Sequence, residues 1–395
     1  MKNIFFYILL LVVIISCNNN SKPVIINTAA TSEDTWVKAD GKDSLLLLTD
    51  RPPNLETPLK YFLKDYTPNN VFFVRWHLAG LPNAVNTDTF RLRIGGNVSK
   101  EIDLSLNDLK TKFTPVTITA LCQCSGNSRS FFDPRVPGGQ WKNGSMGNAK
   151  WTGVKLKDIL QMAGAKNNSI EVSFNGLDMP SMSATPDFVK SLQFNHAADG
   201  EVMIAYEMNG EPLPILNGYP LKLVVPGWYA TYWVGMLSSI QVHSTAFEGF
   251  WMKNAYMVPK DEPNGNESPD AIATNVEPIS KMNVRSLFVS PEPNEVIAVG
   301  RQSDIQGLAF DAGYGITKVE LSEDSGKTWL PAKLDAELGK YSWRRWHYNF
   351  IPSKKGDNML LVKATNAIGQ TQPKKQWNHS GYMRNEIETL KLKAE

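Results

Sequence analysis

Two of the three cysteines, Cys122 and Cys124, are separated by a single residue, too close for an unstrained disulfide and without partners at the spacing of a structural zinc site. They sit in Leu121-Cys122-Gln123-Cys124-Ser125-Gly126-Asn127-Ser128-Arg129, where a β-forming run gives way to small, turn-forming residues. A thiolate at that junction is predicted to project from a strand end into a cleft, with the Arg129 cation favouring the ionised form. Cys122, still inside the apolar run, reads as a buried core thiol, and Cys124 as the functional one. The five histidines, His77, His196, His243, His347 and His379, are scattered without a paired metal-ligand spacing. The sequence holds no Cys-x-x-Cys-His haem attachment, nucleophile elbow or P-loop. Composition leaves a Cys–His hydrolase built on Cys124 open, but nothing beside Cys124 resembles the thiol-hydrolase signatures. Arg75 and His77, each taken alone, read as a surface ion pair and a satisfied core histidine.

A cleft needs a framework. β-Rich segments at 71–76, 90–94, 116–121, 170–174, 203–206 and 221–225 alternate with helical patterns at 106–112 and 155–163, which predicts an α+β block over residues 46–260. Residues 261–283 are rich in Pro, Asp, Asn and Ser and read as a connection. Residues 284–395 show strand patterns at 296–299, 305–309, 316–322, 341–350 and 358–364 with turn signals between them, which predicts an immunoglobulin-like sandwich. Within it, residues 322–329 (SEDSGKTW) resemble the hairpin motif of sialidase propellers. A propeller needs several copies and the sequence has one, so this segment is read as a hairpin without chemistry.

The amino-terminal end has another task. Lys2 precedes an apolar run over residues 4–15, the length of a signal-peptide core and short for a membrane span. The run ends in Ile14-Ile15-Ser16-Cys17, which resembles the bacterial lipoprotein cleavage box and makes Cys17 the expected lipidated residue. Residues 1–17 are thus expected to be a lipoprotein signal and residues 18–45 a linker or wrapping arm, in a membrane-anchored protein facing the periplasm. No Arg-Arg pair precedes the run. A formal net charge of +2 excludes non-specific binding of nucleic acid through a broad basic field, so an anion must be held in a pocket.

Several separated motifs resemble the sulfite oxidase family in order and spacing. These are Phe72-Phe73-Val74-Arg75-Trp76-His77, Gln123-Cys124-Ser125-Gly126-Asn127 with Arg129, Trp151-Thr152-Gly153-Val154, and Ala205-Tyr206-Glu207-Met208-Asn209-Gly210 with Leu213-Pro214. Gly218-Tyr219-Pro220-Leu221, Val224-Val225-Pro226-Gly227 and Trp377-Asn378 continue the match over nearly the whole chain beyond the signal.

The resemblance implies a molybdenum–molybdopterin cofactor with Cys124 as the metal's thiolate ligand. It implies that Phe73, Val74, Arg75, Trp76, His77, Asp178, Asn217, Lys222, Trp233, Val234 and Gly235 hold the pterin and its phosphate. Arg75, Arg129 and Tyr256 match the family's substrate pocket, with Trp141 in its wall. Asn217 and Gly235 stand where animal members have a histidine and a lysine, and Ser380 stands where they have an arginine; Arg384 is close enough in sequence to replace it. The implied reaction is oxidation of sulfite to sulfate. With no haem-attachment motif in the chain, the two electrons are expected to pass singly to a separate acceptor such as a c-type cytochrome. The carboxy-terminal sandwich implies a homodimer. The alternatives are a molybdoenzyme for another small oxyanion or an S-oxide, and a non-catalytic binding lipoprotein. Methionine-sulfoxide reductases of the superfamily generally lack the sandwich, and a binding module has no need of a metal-ligand thiolate among Arg75, Arg129 and Tyr256.

Overall fold

The structure, a computed structural model, describes residues 27–30, 35–38, 41–260 and 262–395, the first four by their backbone alone. Cys17, the apolar run and the tether that follows it lie outside the described residues. The fold is α+β, predominantly β.

Two sheets build the first block. In one, Val116–Gln123 pairs antiparallel with Met146–Lys155, which pairs with Met203–Met208; Lys222–Val224 adds to the last. In the other, Leu92–Gly96 lies parallel to Ser239–His243, which continues antiparallel to Glu171–Asn175 and on to Lys190–Gln193. Helix Leu106–Lys112 starts at a capping box, Ser105 Oγ accepting from Asp108 N at 3.0 Å while Asp108 Oδ2 accepts from Ser105 N at 2.9 Å. Helix Leu156–Ala163 buries Leu156, Ile159, Leu160 and Ala163 on one stripe and ends at Gly164, whose φ of 65° suits glycine. The predicted strand at 71–76 is instead a 3₁₀ turn, Asn69–Val71, and a two-residue strand, Val74–Arg75, because Phe72 and Phe73 pack inward as a stacked pair 5.4 Å apart.

The segment read as a linker or arm is more ordered than its sequence suggests. Asn27–Ala30, Thr35–Lys38 and Leu45–Thr49 form successive antiparallel strands that continue through Asn54–Glu56 to Val74–Arg75. Val37, Leu45 and Leu55 bury their side chains there with Val71 and Val74. The 261–283 connection also carries structure: Val276–Pro278 pairs with Met257–Pro259.

The second block is a two-sheet sandwich. Arg285–Ser290, Ser303–Phe310, Arg344–Phe350 and Lys333–Leu334 form one sheet, and Val296–Ile297, Glu388–Ala394, Gly356–Asn366, Ile316–Ser322 and Leu330–Pro331 the other. Their inner faces bring Ile305, Trp346 and Phe350 against Val319, Leu321, Leu360 and Leu390. The 322–329 segment is a hairpin turn whose Asp324 carboxylate accepts from the Thr328 N–H at 2.8 Å and Thr328 Oγ1 at 2.7 Å. The blocks share one core, with Leu287, Leu308, Phe310 and Trp343 packed among residues of the first. Leu121 N donates to Tyr341 O at 2.8 Å across the junction.

Candidate active site

Cys124 follows directly on strand Val116–Gln123, where the chain leaves the sheet. Its N–H donates to Ser145 O at 2.9 Å and its carbonyl accepts from Asn127 N at 3.0 Å, so a tight turn fixes the thiol position. Asn127 Oδ1 locks that turn by accepting from Ser145 N at 3.1 Å and Ser145 Oγ at 2.8 Å. Cys124 is 7% exposed and lines a cleft enclosing roughly 710 Å³, part of it open to solvent. Phe73, Arg75, Trp76, His77, Asp178, Asn217, Lys222, Trp233, Val234, Gly235 and Tyr256 line the same cleft. Cys122 reaches it too, but burial pushes its thiol up to about 12, which keeps it neutral. Val74 does not line the cleft; its side chain packs into the amino-terminal sheet.

The polar groups of the cleft around Arg75 and Tyr256 are interlocked. Arg75 donates to Asn54 Oδ1 at 3.3 Å, to the Trp76 carbonyl and to the Tyr256 hydroxyl at 3.3 Å. That hydroxyl also hydrogen-bonds His77 Nε2. His77 stacks on Phe188 with ring centroids 3.6 Å apart. Burial, then the Arg75 and Lys190 cations, hold the His77 imidazole well below its ordinary pKa, so the ring is neutral at pH 7. Lys190 is fully buried, donates to Trp251 O at 2.7 Å, and lies 5.1 Å from the centroid of the Tyr256 ring. Tyr256 itself has φ of 60°, a conformation costly for a bulky side chain.

Arg129 does not line the cleft but stands behind it. It donates to Gly381 O at 3.0 Å, Gly139 O at 3.3 Å and Ser380 O at 3.4 Å, and lies over the Tyr382 ring at 4.9 Å. Tyr382 in turn stacks on Tyr256 at 5.0 Å. The sandwich block delivers this group through a turn closed by the fully buried Asn378, which accepts from Tyr382 N at 3.0 Å and donates to Tyr382 O at 2.8 Å. Ser380 therefore meets Arg129 through its backbone. Arg384 does not take the place of a pocket arginine: its guanidinium pairs with Glu386 at 2.8 Å and Glu388 at 2.7 Å. Trp141 is buried against Gly139, outside the cleft lining.

Elsewhere the cleft is built to take polar and anionic groups. Ser125 Oγ and Thr231 Oγ1 line it, buried and without a hydrogen-bond partner. Lys222 lines it with no hydrogen bond or ion pair among the described residues. Asp178 is the one carboxylate in the lining, and burial pushes its pKa up to about 7. Gly235 packs closely on its neighbours, since a Cβ there would sit 3.0 Å from Gly218 Cα and 3.1 Å from the Trp76 ring. Asn217 Nδ2 donates to Phe73 O at 2.9 Å, and its Oδ1 accepts from Lys42. Sequence reasoning missed Lys42, Lys190, Phe188, Thr231 and Tyr382, none of which stands in a motif. Among the described residues no group of three or more His, Cys, Asp or Glu could hold a metal unaided.

Comparison with known proteins agrees with this construction. Residues 78–251 match the oxidoreductase molybdopterin binding domain, and residues 276–394 the Mo-co oxidoreductase dimerisation domain. Mitochondrial sulfite oxidase of Rattus norvegicus is 31% identical over 364 residues, which cover 87% of this chain and 64% of the rat protein's length. Sulfite oxidase of Gallus gallus is 30% identical over 357 residues, 85% of this chain and 75% of that one. The crystal structure of the sulfane dehydrogenase SoxCD from Paracoccus pantotrophus superposes with a TM-score of 0.75 at 26% identity, covering 88% of this chain and 86% of that one. With matched domains in the same order, a shared fold and the thiol, arginine and tyrosine gathered at one cleft, the chain belongs to the sulfite oxidase family.

Proposed function

We propose that the protein oxidises sulfite to sulfate at a molybdenum–molybdopterin cofactor and passes the electrons singly to an external acceptor such as a c-type cytochrome. The observation that carries this reading is the meeting of Cys124 with Arg75, the Tyr256 hydroxyl and a neutral His77 on one cleft whose largely aromatic lining also holds Lys222 and the Ser125 and Thr231 hydroxyls. The cleft suits the cofactor on its own chemistry. Two orphaned hydroxyls and a lysine with no partner among the described residues match a polar, phosphorylated ligand, the aromatic walls match a flat one, and a soft thiolate suits the metal.

When bound, the cofactor supplies the two-electron redox chemistry, with Cys124 as the protein's ligand to the metal. The chain's own residues bind and orient the substrate. Arg75 neutralises an anion entering the cleft, and the Tyr256 hydroxyl, braced by Arg75 and His77, gives it a fixed hydrogen-bonding partner. Arg129 adds positive charge from behind Tyr382 without spending a donor on the substrate. The phenyl and indole groups of Phe188 and Trp251, packed about His77, exclude water from that side.

A second reading, another small sulfur-centred anion or oxyanion, is favoured by Ser380 and Arg384. The first offers only a backbone carbonyl and the second is bound to carboxylates, so the substrate meets fewer side-chain cations than in animal members. The likeness to a sulfane dehydrogenase points the same way. The same proposal extends to a homodimer through the sandwich block and to membrane attachment through Cys17.

The test is sulfite-dependent reduction of cytochrome c by purified, molybdenum-assayed protein beside Cys124→Ser. Activity in the wild type that the variant lacks is the expected result. A metal-loaded wild type inactive with sulfite would reject that substrate in favour of the second reading.

A further inference from the structure

Lys42 lies in the segment whose sequence reads as linker, yet it is 6% exposed. Its ammonium has no carboxylate partner among the described residues. It donates instead to Asn69 O at 2.6 Å, Phe72 O at 3.1 Å and Asn217 Oδ1. Phe72 and Asn217 both line the cleft, and they come from parts of the chain far apart in sequence. One lysine of the amino-terminal arm therefore ties two walls of the cleft together. The arm is seated by its own contacts as well, with Asp43 N donating to Asn70 O at 2.8 Å and Val37 and Leu45 buried.

Burying a cation among neutral acceptors is unfavourable unless an anion shares the site. The neighbouring cation makes matters worse: burial first and Lys222 second bring the Lys42 pKa down to about 7. Lys222 is itself depressed by burial and has no acceptor. Two ammonium groups thus lie at one end of the cleft without a counter-charge, Lys222 in its lining and Lys42 behind Phe72 and Asn217, and a bound anion would relieve both.

We propose that Lys42 is a second cation of the anion-binding end of the cleft, carried there by the amino-terminal arm, and that it retains the cofactor through the phosphate group by its field and by fixing Asn217. This rests on the molybdopterin reading of the cleft. Lys42 is a positioning residue, since all three of its donors are used on the protein.

The full-length protein, prepared without cofactor, is titrated with inorganic phosphate at constant ionic strength, and pterin loss from the loaded protein is timed in parallel. Lys42→Met is expected to weaken phosphate at least about fivefold and to speed pterin loss comparably, as removal of one partly buried charge should. Lys42→Arg recovers most of the affinity, and Lys38→Gln, which removes an exposed lysine from the same arm, behaves as wild type. Should Lys42→Met fail to fold, Lys42→Gln is measured in its place. Equal phosphate affinity in wild type and the uncharged variant overturns the role of Lys42 alone. A wild type that binds neither phosphate nor pterin overturns the reading of the cleft as well.

Discussion

Tyr256 is held in a left-handed backbone conformation that for a bulky residue costs on the order of 1–3 kcal/mol. Such strain persists only where the surroundings over-determine it, and here they do. Arg75 and His77 fix the hydroxyl, Tyr382 stacks on one face of the ring, and the Lys190 ammonium lies 5.1 Å from its centroid. Burial keeps the phenol protonated far above neutral pH despite the nearby arginines, so the hydroxyl can donate as well as accept. Tyr256→Phe is therefore expected to lower kcat/KM for sulfite about 10- to 100-fold, the worth of one hydrogen bond to a charged group. Bound molybdenum should stay unchanged, and metal assay beside steady-state kinetics checks both. Arg75 and Cys124 were legible in short motifs, and Tyr256 only through the family resemblance. Tyr382 and Lys190 were not legible, because they reach the site only through the packing of a distant turn and of an edge strand.

At the scale of elements, the cleft depends on how closely two loops approach. The turn after Ile215–Asn217 ends at Gly218, with φ of 108°, and presses on the strand-like stretch at Gly235, which Met236 N ties back to Gly218 O at 2.9 Å. Both positions must lack a side chain, since the obstructing atoms are backbone and a buried indole. Gly235→Ala is expected to destabilise the protein by about 1–3 kcal/mol, the range for overpacking a closed site. A lower denaturant midpoint together with a lower pterin content would be observed; an unchanged midpoint would mean that the loops separate freely. Helices Leu106–Lys112 and Leu156–Ala163 were legible because each has a local stripe of apolar residues and local stop signals. The strands Asn27–Ala30 and Thr35–Lys38 were not, because each is placed by its neighbour in a series that reaches Asn54–Glu56 through Leu45–Thr49, and the sequence before Leu45 has no apolar period of its own.

Across the whole molecule, the sandwich block does more than follow the first. It supplies Tyr382 and the carbonyls that hold Arg129, and it anchors them through a buried ionic cluster. Of its longer strands, Ser303–Phe310, Ile316–Ser322, Arg344–Phe350 and Gly356–Asn366 were legible, but Arg285–Ser290 and Glu388–Ala394 were not. The first is buried on nearly every residue, and the second places a carboxylate at an inward position where alternation calls for an apolar side chain. That carboxylate explains itself in the fold. Arg285, 1% exposed, donates to Glu388 Oε1 at 2.6 Å and across the block boundary to Ser128 Oγ at 2.7 Å and Asn143 Oδ1 at 3.0 Å, while Arg384 donates to the same Glu388 oxygen at 2.7 Å. Ser128 precedes Arg129, so the cluster also fixes the backbone that aims the site arginine. Burial opposes ionisation of Glu388, but the Arg384 and Arg285 charges and their hydrogen bonds outweigh it and hold its carboxyl below the usual range. A folded-state pKa below the unfolded value of about 4.3 makes the stabilisation complete above that pH, and it is lost as pH falls through the lowered value. Glu388→Gln leaves the buried Arg285 guanidinium without its counter-charge and Arg384 with Glu386 alone, and is expected to cost on the order of 3–5 kcal/mol at pH 7. Calorimetry across pH should show the gap in Tm between wild type and variant at full size near neutrality and narrowing below about pH 4. A gap that stays constant into acid would mean that packing, and not the charge on Glu388, joins the two blocks.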